Sequence, residues 1–282
     1  MSTPFDAPDW RGMSQQDRDS GLNNGAAVAG SGDIVAGWNR LSLELRAQHS
    51  AHLDLRYGPR ERNRIDFLKA ADKAPTLLFI HGGYWQMRAK EDFSLFAAGP
   101  MAHGINVALI GYTLAPEAKL DEIVAEIHAG IDFLGEQLRD LGGDAGRIAV
   151  SGWSAGGHLT AMALGEADAG LSISGIFDLE PCRLSYLNAA LNLTVEEQRA
   201  LSPIHHLSPG PGPLALAFGT SELPELQRQS CAYGAAREAV GLPTEMLPLA
   251  GHDHFSILDE LADPAGRLSD VVARLAMAAA PA

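Results

Sequence analysis

The sequence predicts an α/β protein with a mainly parallel central sheet and helices on both faces. Two observations predict it. Short apolar runs that end in glycine recur along the chain, as in "TLLFIHGG" and "RIAVSG", the pattern of strands buried on both faces. Between them lie helix-length segments. The clearest, 118–140, sets Leu120, Ile123, Val124, Ile127, Ile131, Leu134 and Leu138 at helical spacing, which gives one apolar stripe. Alternation of this kind joins parallel strands through helical crossovers.

In chain order, "HLDLRYG" and "RIDFLKA" read as the first strands, and "TLLFIHGG" as a central one. A helix over 91–103, the strand "INVALIGY", the helix 118–140 and the strand "RIAVSG" follow. A helix over 155–166, the strand "GLSISG", the strand "PLALAFGT", a helix over 223–240 and the strand "TEMLPL" continue the alternation. Val271, Val272, Leu275 and Ala276 mark a closing helix. Residues 176–212 interrupt the pattern with short helical pieces between turn signals. They read as a cap-like insertion over the C-terminal edge of the sheet, where open α/β sheets bind ligands. Residues 1–35 are polar and rich in Gly and Asn and read as an extended N-terminal arm, leaving 36–282 as a single domain.

Composition narrows the function. The chain has 282 residues, 46% of them hydrophobic and 20% charged, ample for one large core. With 21 Lys+Arg against 35 Asp+Glu its net charge is −14, which argues against nucleic acid or an anionic membrane as partner. Two cysteines, Cys182 and Cys231, form no CxxC or metal spacing, so a reducing compartment fits. The first residues lack the basic and apolar regions of a secretory signal, and no stretch approaches a membrane span. A cytoplasmic location is expected, with a homodimer as one candidate assembly.

The chemistry centres on "VSGWSAGGHL", residues 150–159. Glycines near the first turn of a helix cost roughly 0.5–1 kcal/mol each, so something other than stability favours Gly152, Gly156 and Gly157. Gly152-Trp153-Ser154-Ala155-Gly156 is a G-x-S-x-G between a strand and a helix, the context of a nucleophile elbow. Such a turn strains the serine backbone and lifts its hydroxyl above the sheet, at the positive end of a helix. The bland alternative is a glycine-rich turn used only for close packing.

Three further features favour catalysis. "HGGYW", residues 81–85, follows a buried strand, and its glycines allow backbone N–H groups to approach a developing oxyanion. The expected donors are the amides of Gly82, Gly83 and Ala155. "LAGHDHFSIL" follows the last strand, where the histidine of a Ser…Asp/Glu…His order belongs. His254 is preferred over His252 because it directly precedes a helix start. A metal site from His252, Asp253 and His254 is the rival, but adjacent ligands have poor geometry, and no cofactor or metal is expected. The acid should follow "PLALAFGT", which points to Glu222. Glu225, one helical turn on, reads as surface-facing, and Asp178 is a variant alternative.

These motifs identify a resemblance to the α/β-hydrolases of the kynurenine formamidase (arylformamidase) type, near the hormone-sensitive-lipase-like esterases, over about residues 50–262. "HGGYWQ" is similar to the formamidase form of an oxyanion motif usually written HGGG in the lipase-like group. "SAGGHL" resembles formamidases through His158, "ELPELQRQS" resembles their acid segment, and "GHDHFSIL" their histidine segment. Glu222 departs from the commoner Asp, and Trp153 from the usual small, polar or His neighbour of the nucleophile. The resemblance implies a Ser154–His254–Glu222 triad that cleaves an N-formyl or short N-acyl group from an aryl amine, N-formyl-L-kynurenine being the reference. A short-chain carboxylesterase with the same triad is the alternative. Tyr84, Trp85 and Trp153 cluster around the reacting centre and suit an aryl leaving group, although aromatics at a crowded turn also serve plain core packing.

Overall fold

The computed structural model describes residues 8–207 and 212–278. Eight strands form one sheet: β1 (Leu55–Arg56), β2 (Arg64–Leu68), β3 (Ala74–Ile80), β4 (Asn106–Ile110), β5 (Gly143–Trp153), β6 (Ala169–Ile173), β7 (Leu214–Gly219) and β8 (Thr244–Leu249). Their order across the sheet is β1-β2-β4-β3-β5-β6-β7-β8. Strands β3 to β8 run parallel, and β2 pairs antiparallel with both β1 and β4. β3 and β4 are buried at every residue, which is why they read as unbroken apolar runs. This is the α/β-hydrolase fold.

Short helices α1 (Gln15–Ser20) and α2 (Asn24–Ala27) precede α3 (Ser31–Gln48). The helix predicted over 91–103 is a run of 3-10 turns, Lys90–Ala97, leading into α4 (Ala98–Ala102). Ser42 Oγ sets that run by donating to Asp92 O and accepting from Leu95 N. The stripe at 118–140 is α5 (Leu120–Leu141). Glu122 reaches back to accept from Lys119 N at its start, and Gly142 ends it in the left-handed conformation at φ 83°.

The elbow helix α6 (Ala155–Met162) is followed by α7 (Glu180–Leu184), α8 (Asn188–Leu191) and α9 (Val195–Ala200) in the segment expected as a cap-like insertion. Residues 208–211 of that segment lie outside the described residues. Then come α10 (Pro224–Ala239), α11 (Asp259–Ala262) and α12 (Arg267–Ala278). One face of the sheet packs on α5, α6 and α10, and the other on α3, α11 and α12. Among the described residues no helix is long and apolar enough to cross a membrane.

Residues 8–27 lie over the C-terminal edge of the sheet. Trp10 and Leu22 are buried in the core on the α5, α6 and α10 face of the sheet. Arg11 Nη2 pairs with Glu180 Oε1 at 2.6 Å, and Tyr186 N donates to Asp19 Oδ1 at 2.8 Å. The N-terminal segment and the 176–207 excursion therefore hold each other across the top of the sheet. Helix α3 is fixed on the opposite face by Trp38 and by Arg46, whose Nε donates to the buried Asp66 at 2.8 Å.

The elbow glycines are a packing requirement. A Cβ on Gly156 would lie inside the van der Waals shell of Ile80 O, and one on Gly152 inside that of Gly156 O. Gly135, in the interior of α5, has only Ile148 Cδ1 within reach, at 3.8 Å. Gly156→Ala is expected to cost at least the roughly 1–3 kcal/mol of overpacking, whereas Gly135→Ala is expected to stabilise by about 0.5–1 kcal/mol. Thermal melts of the two variants check this; equal effects of one sign would refute the assignment of the elbow as the tight contact.

Candidate active site

Ser154 sits between β5 and α6 with φ 58° and ψ −117°. A non-glycine residue holds such a backbone only where its surroundings over-determine it. Here Ser154 N donates to Ile173 O at 2.8 Å, and Ser154 O accepts from His158 N at 3.1 Å. The turn leaves the side chain at the wall of a cavity of about 150 Å³. His254, Gly83, Tyr84, Trp153 and Phe255 share that cavity.

His254 follows β8 in a turn built by Asp253, whose Oδ1 accepts from Phe255 N and Ser256 N at 2.8 and 2.9 Å. Its Nδ1 lies 3.4 Å from Glu222 Oε2. A ring N–H facing a carboxylate fixes the tautomer, so Nε2 remains free to accept a proton. Glu222 follows β7 and is itself held. Its Oε1 accepts from Ser174 Oγ and from Gly219 N, both at 2.6 Å, which leaves Oε2 for the histidine.

His252 points elsewhere, with Nδ1 3.1 Å from Ser256 O and Nε2 3.2 Å from Glu260. Asp178 caps the start of α7, where its Oδ1 accepts from Glu180 N at 2.9 Å. Glu225 is not surface-facing: it is 5% exposed, pairs with Arg228 at 2.6 Å and accepts from Gln229 Nε2 at 2.9 Å. Partners one helical turn away on α10 make that burial tolerable.

The segment expected to hold an oxyanion is equally constrained. The amides of Gly82, Gly83 and Ala155 donate to no protein acceptor among the described residues. Gly83 has φ 110°, and a Cβ on Gly82 would come 2.6 Å from Trp153 Cε3. Behind them His81 donates through Nδ1 to Gly82 O at 2.8 Å and stacks on Tyr112 at 4.2 Å between centroids. Tyr112 Oη donates to His81 O at 3.0 Å, so Tyr112 supports this loop.

The three aromatics separate. Trp153 is buried, lines the cavity and donates from Nε1 to His254 O at 2.8 Å, with the two rings 4.7 Å apart. Tyr84 also lines it. Its Oη donates to Leu22 O and accepts from Asn24 Nδ2 at 2.9 Å, and burial pushes its pKa well up. Trp85 departs from the expectation. It is fully buried outside the cavity, edge-on to His158 at 5.0 Å, because φ 58° and the bond from Ala115 N to its carbonyl turn it inward.

Sequence reasoning missed Asn23, Asn24, Met87, Arg88, Tyr186 and Phe255, all at the cavity wall. Only the adjacency of Met87 and Arg88 to "HGGYW", and of Phe255 to His254, offered a signal. Among the described residues the one acidic grouping close enough to hold a cation is Asp54, Asp66 and Glu91. Lys90 Nζ already neutralises it, at 2.8, 2.7 and 2.7 Å respectively.

Two buried histidines set an acid limit. Burial pushes His81 down to about 3 and His158 down to about 4, each with one hydrogen bond to a carbonyl working weakly the other way. His158 Nε2 donates to Leu201 O at 2.8 Å, tying the elbow helix to the excursion. Depressed folded-state values mean that both groups contribute fully above the ordinary histidine value near 6.5. Their contribution is lost as pH falls toward 4, since only the unfolded chain takes up the proton. His158→Asn is expected to flatten the stability–pH slope between pH 6.5 and 4 by about one proton, roughly 1.4 kcal/mol per pH unit. Denaturant titrations across that range measure it, and an unchanged slope would show that His158 is already protonated in the fold.

Residues 67–173 match the BD-FAE family. The chain is 28% identical over 229 residues to the kynurenine formamidase of Danio rerio, covering 75% of this chain and 77% of that protein. A proposed thioesterase from Silicibacter sp. TM1040 superposes with a TM-score of 0.83 at 25% identity, over 90% of this chain and 98% of its own. The carboxylesterase EstE1, from a metagenomic library, superposes with a TM-score of 0.72 at 20% identity, over 88% and 97%. The chain has the α/β-hydrolase fold, which it shares with the carboxylesterases, and over most of its length it is similar to the kynurenine formamidases.

Proposed function

We propose that the chain is a serine hydrolase that removes an N-formyl or short N-acyl group from an aryl amine through an acyl-enzyme, with N-formyl-L-kynurenine as the reference substrate. The observation that carries this is the convergence of strained Ser154 and Glu222-backed His254 on one small aromatic-walled cavity. A void near 150 Å³ is of the size that holds about one benzene ring. That suits a short acyl group and an aryl face better than a long chain. The likeness to the formamidases over most of both chains points the same way.

Ser154 Oγ attacks the carbonyl carbon while His254 Nε2 takes its proton. Glu222 holds the imidazole by Nδ1 and stabilises the imidazolium. The carbonyl oxygen becomes an oxyanion facing the unpaired amides of Gly82, Gly83 and Ala155. His254 then protonates the departing amine. Water, activated by the same histidine, attacks the acyl-enzyme and releases the short acid and Ser154. Activated aryl esters, with better leaving groups, pass through the same steps.

Turnover of N-formyl-L-kynurenine beside p-nitrophenyl acetate tests the reading. Wild type is expected to cleave both, with kcat/KM for the amide in the common enzyme range of about 10⁴–10⁸ M⁻¹s⁻¹. Ser154→Ala should abolish both activities, and Glu222→Gln should lower kcat by about 10⁴-fold through the wrong tautomer. Cleavage of the ester alone would leave the triad in place and make the chain a short-chain carboxylesterase. Full activity in Ser154→Ala would overturn the mechanism.

A further inference from the structure

The cavity wall carries one cationic side chain that the mechanism does not use. Arg88 lines the same cavity as Ser154 and His254, and among the described residues that wall includes no Asp, Glu or Lys. In a chain of net charge −14, a lone arginine there is notable for what it lacks. Among the described residues its guanidinium makes no hydrogen bond or ion pair. Through space it acts on His81 and on Asp92, whose Oδ2 accepts from the amide of Ala89 at 3.0 Å.

The position is built. Arg88 holds φ 78°, a strained backbone for a side chain of this size. Arg62 secures it from behind, donating through Nη2 to Arg88 O and through Nε to Tyr112 O at 2.9 Å. The stem then runs along the oxyanion loop, with Cγ 2.8 Å from where a Cβ on Gly83 would stand. The half-buried Arg62 thus fixes the backbone while the Arg88 head is left without a partner among the described residues. Five N–H donors in a planar fork match a carboxylate.

The cavity size says where that carboxylate would come from. A space for one ring cannot enclose a ring together with a charged tail, so the tail of a larger substrate projects to the mouth. Exposed Met87 and Tyr186 border that mouth, beside Arg88. We propose that Arg88 is a specificity residue that binds a carboxylate on the leaving-group side of the substrate, so that the enzyme prefers acyl aryl substrates with an anionic tail. The inference rests on the serine-hydrolase reading, but not on the preference for amides over esters.

The test uses two matched pairs of substrates. One is N-formyl-L-kynurenine and its α-carboxamide; the other is 4-acetoxyphenylacetate and 4-acetoxyphenylacetamide. Wild type, Arg88→Gln and Arg88→Lys are compared on all four. A charged hydrogen bond lost on binding predicts a rise in KM of roughly 10–100-fold for the acids in Arg88→Gln. The neutral partners should change less than about twofold, with kcat preserved and partial rescue in Arg88→Lys. Equal loss of kcat on acid and neutral members would make Arg88 a support of the oxyanion loop and overturn the proposal, as would no change on either. If only the amide pair is inert in wild type, the formamidase reading fails while the ester pair still reads Arg88. Should the variants not fold, inhibition of wild type by phenylacetate against phenylacetamide decides: tighter binding of the acid supports the site, and equal binding refutes it.

Discussion

The structure depends on one close approach, the packing of the Ser154 turn against the end of β3. Ile80 O and His81 O lie where a side chain on Gly156 would have to go, and Gly156 O lies where one on Gly152 would. With no side chains between them, the start of α6 and the end of β3 are brought to backbone contact. That contact sets Ser154 beside Gly82 and Gly83, so the proposed nucleophile and the amides free of protein partners among the described residues come from two strand ends held against each other. Register between β3 and β5, with Ile80 opposite Gly152, carries the alignment into the sheet. Strain at Ser154 is sustained because β6 also holds it, through Ile173 O.

The histidine arrives on a different lever. His254 sits on a turn after β8, and what ties it to the elbow is Trp153, through the indole N–H to His254 O and through ring contact. Trp153 is packed edge-on against Trp38 of α3 at 5.6 Å and tilted against Phe93 and Phe255 at 5.8 Å. An N-terminal helix, the 3-10 run and the histidine turn therefore share one aromatic layer beneath the site. On the other side Ser174, with φ 50°, and Gly219 N spend their donors on Glu222 Oε1. Glu222 is oriented by groups at the ends of β6 and β7, so three adjacent strand ends and the turn after a fourth hold Ser154, Glu222 and His254, the proposed triad, in place.

How much of this was legible depended on how local its cause is. Ser154, Gly152 and Gly156 announce themselves because a tight turn forbids side chains at fixed offsets. Alternating buried strands gave the sheet because burial on both faces leaves an unbroken apolar run. The 3-10 geometry of Lys90–Ala97 was not readable, since Ser42, fifty residues upstream, holds its backbone. Glu225 looked solvated because its partners Arg228 and Gln229 also look like surface residues in a polar helix. Asn24 and Arg88 were missed for a deeper reason. Arg88 is marked only by lying three residues beyond "HGGYW", and Asn24 by nothing in its own segment, since only the folding of residues 8–27 over the sheet edge brings it to Tyr84.

Trp153 carries two duties that conflict when specificity changes. As cavity wall it limits what fits beside Ser154, and as hydrogen-bond donor it fixes the loop of His254. Trimming it to widen the site removes an indole that fills space among Trp38, Phe93 and Phe255, and it also frees the carbonyl of His254. A loss of that kind reaches catalysis before it reaches selectivity, because a misplacement near 1 Å can cost about 10²-fold in rate. Tyr84 is bound differently, to Leu22 O and Asn24 in the N-terminal segment, with no direct bond to the triad. The wall facing Trp153 can therefore be rebuilt from the N-terminal segment and the 176–207 excursion without disturbing Ser154, Glu222 or His254. On the proposed reading, substrate range is accordingly set from above the sheet, and reactivity from within it.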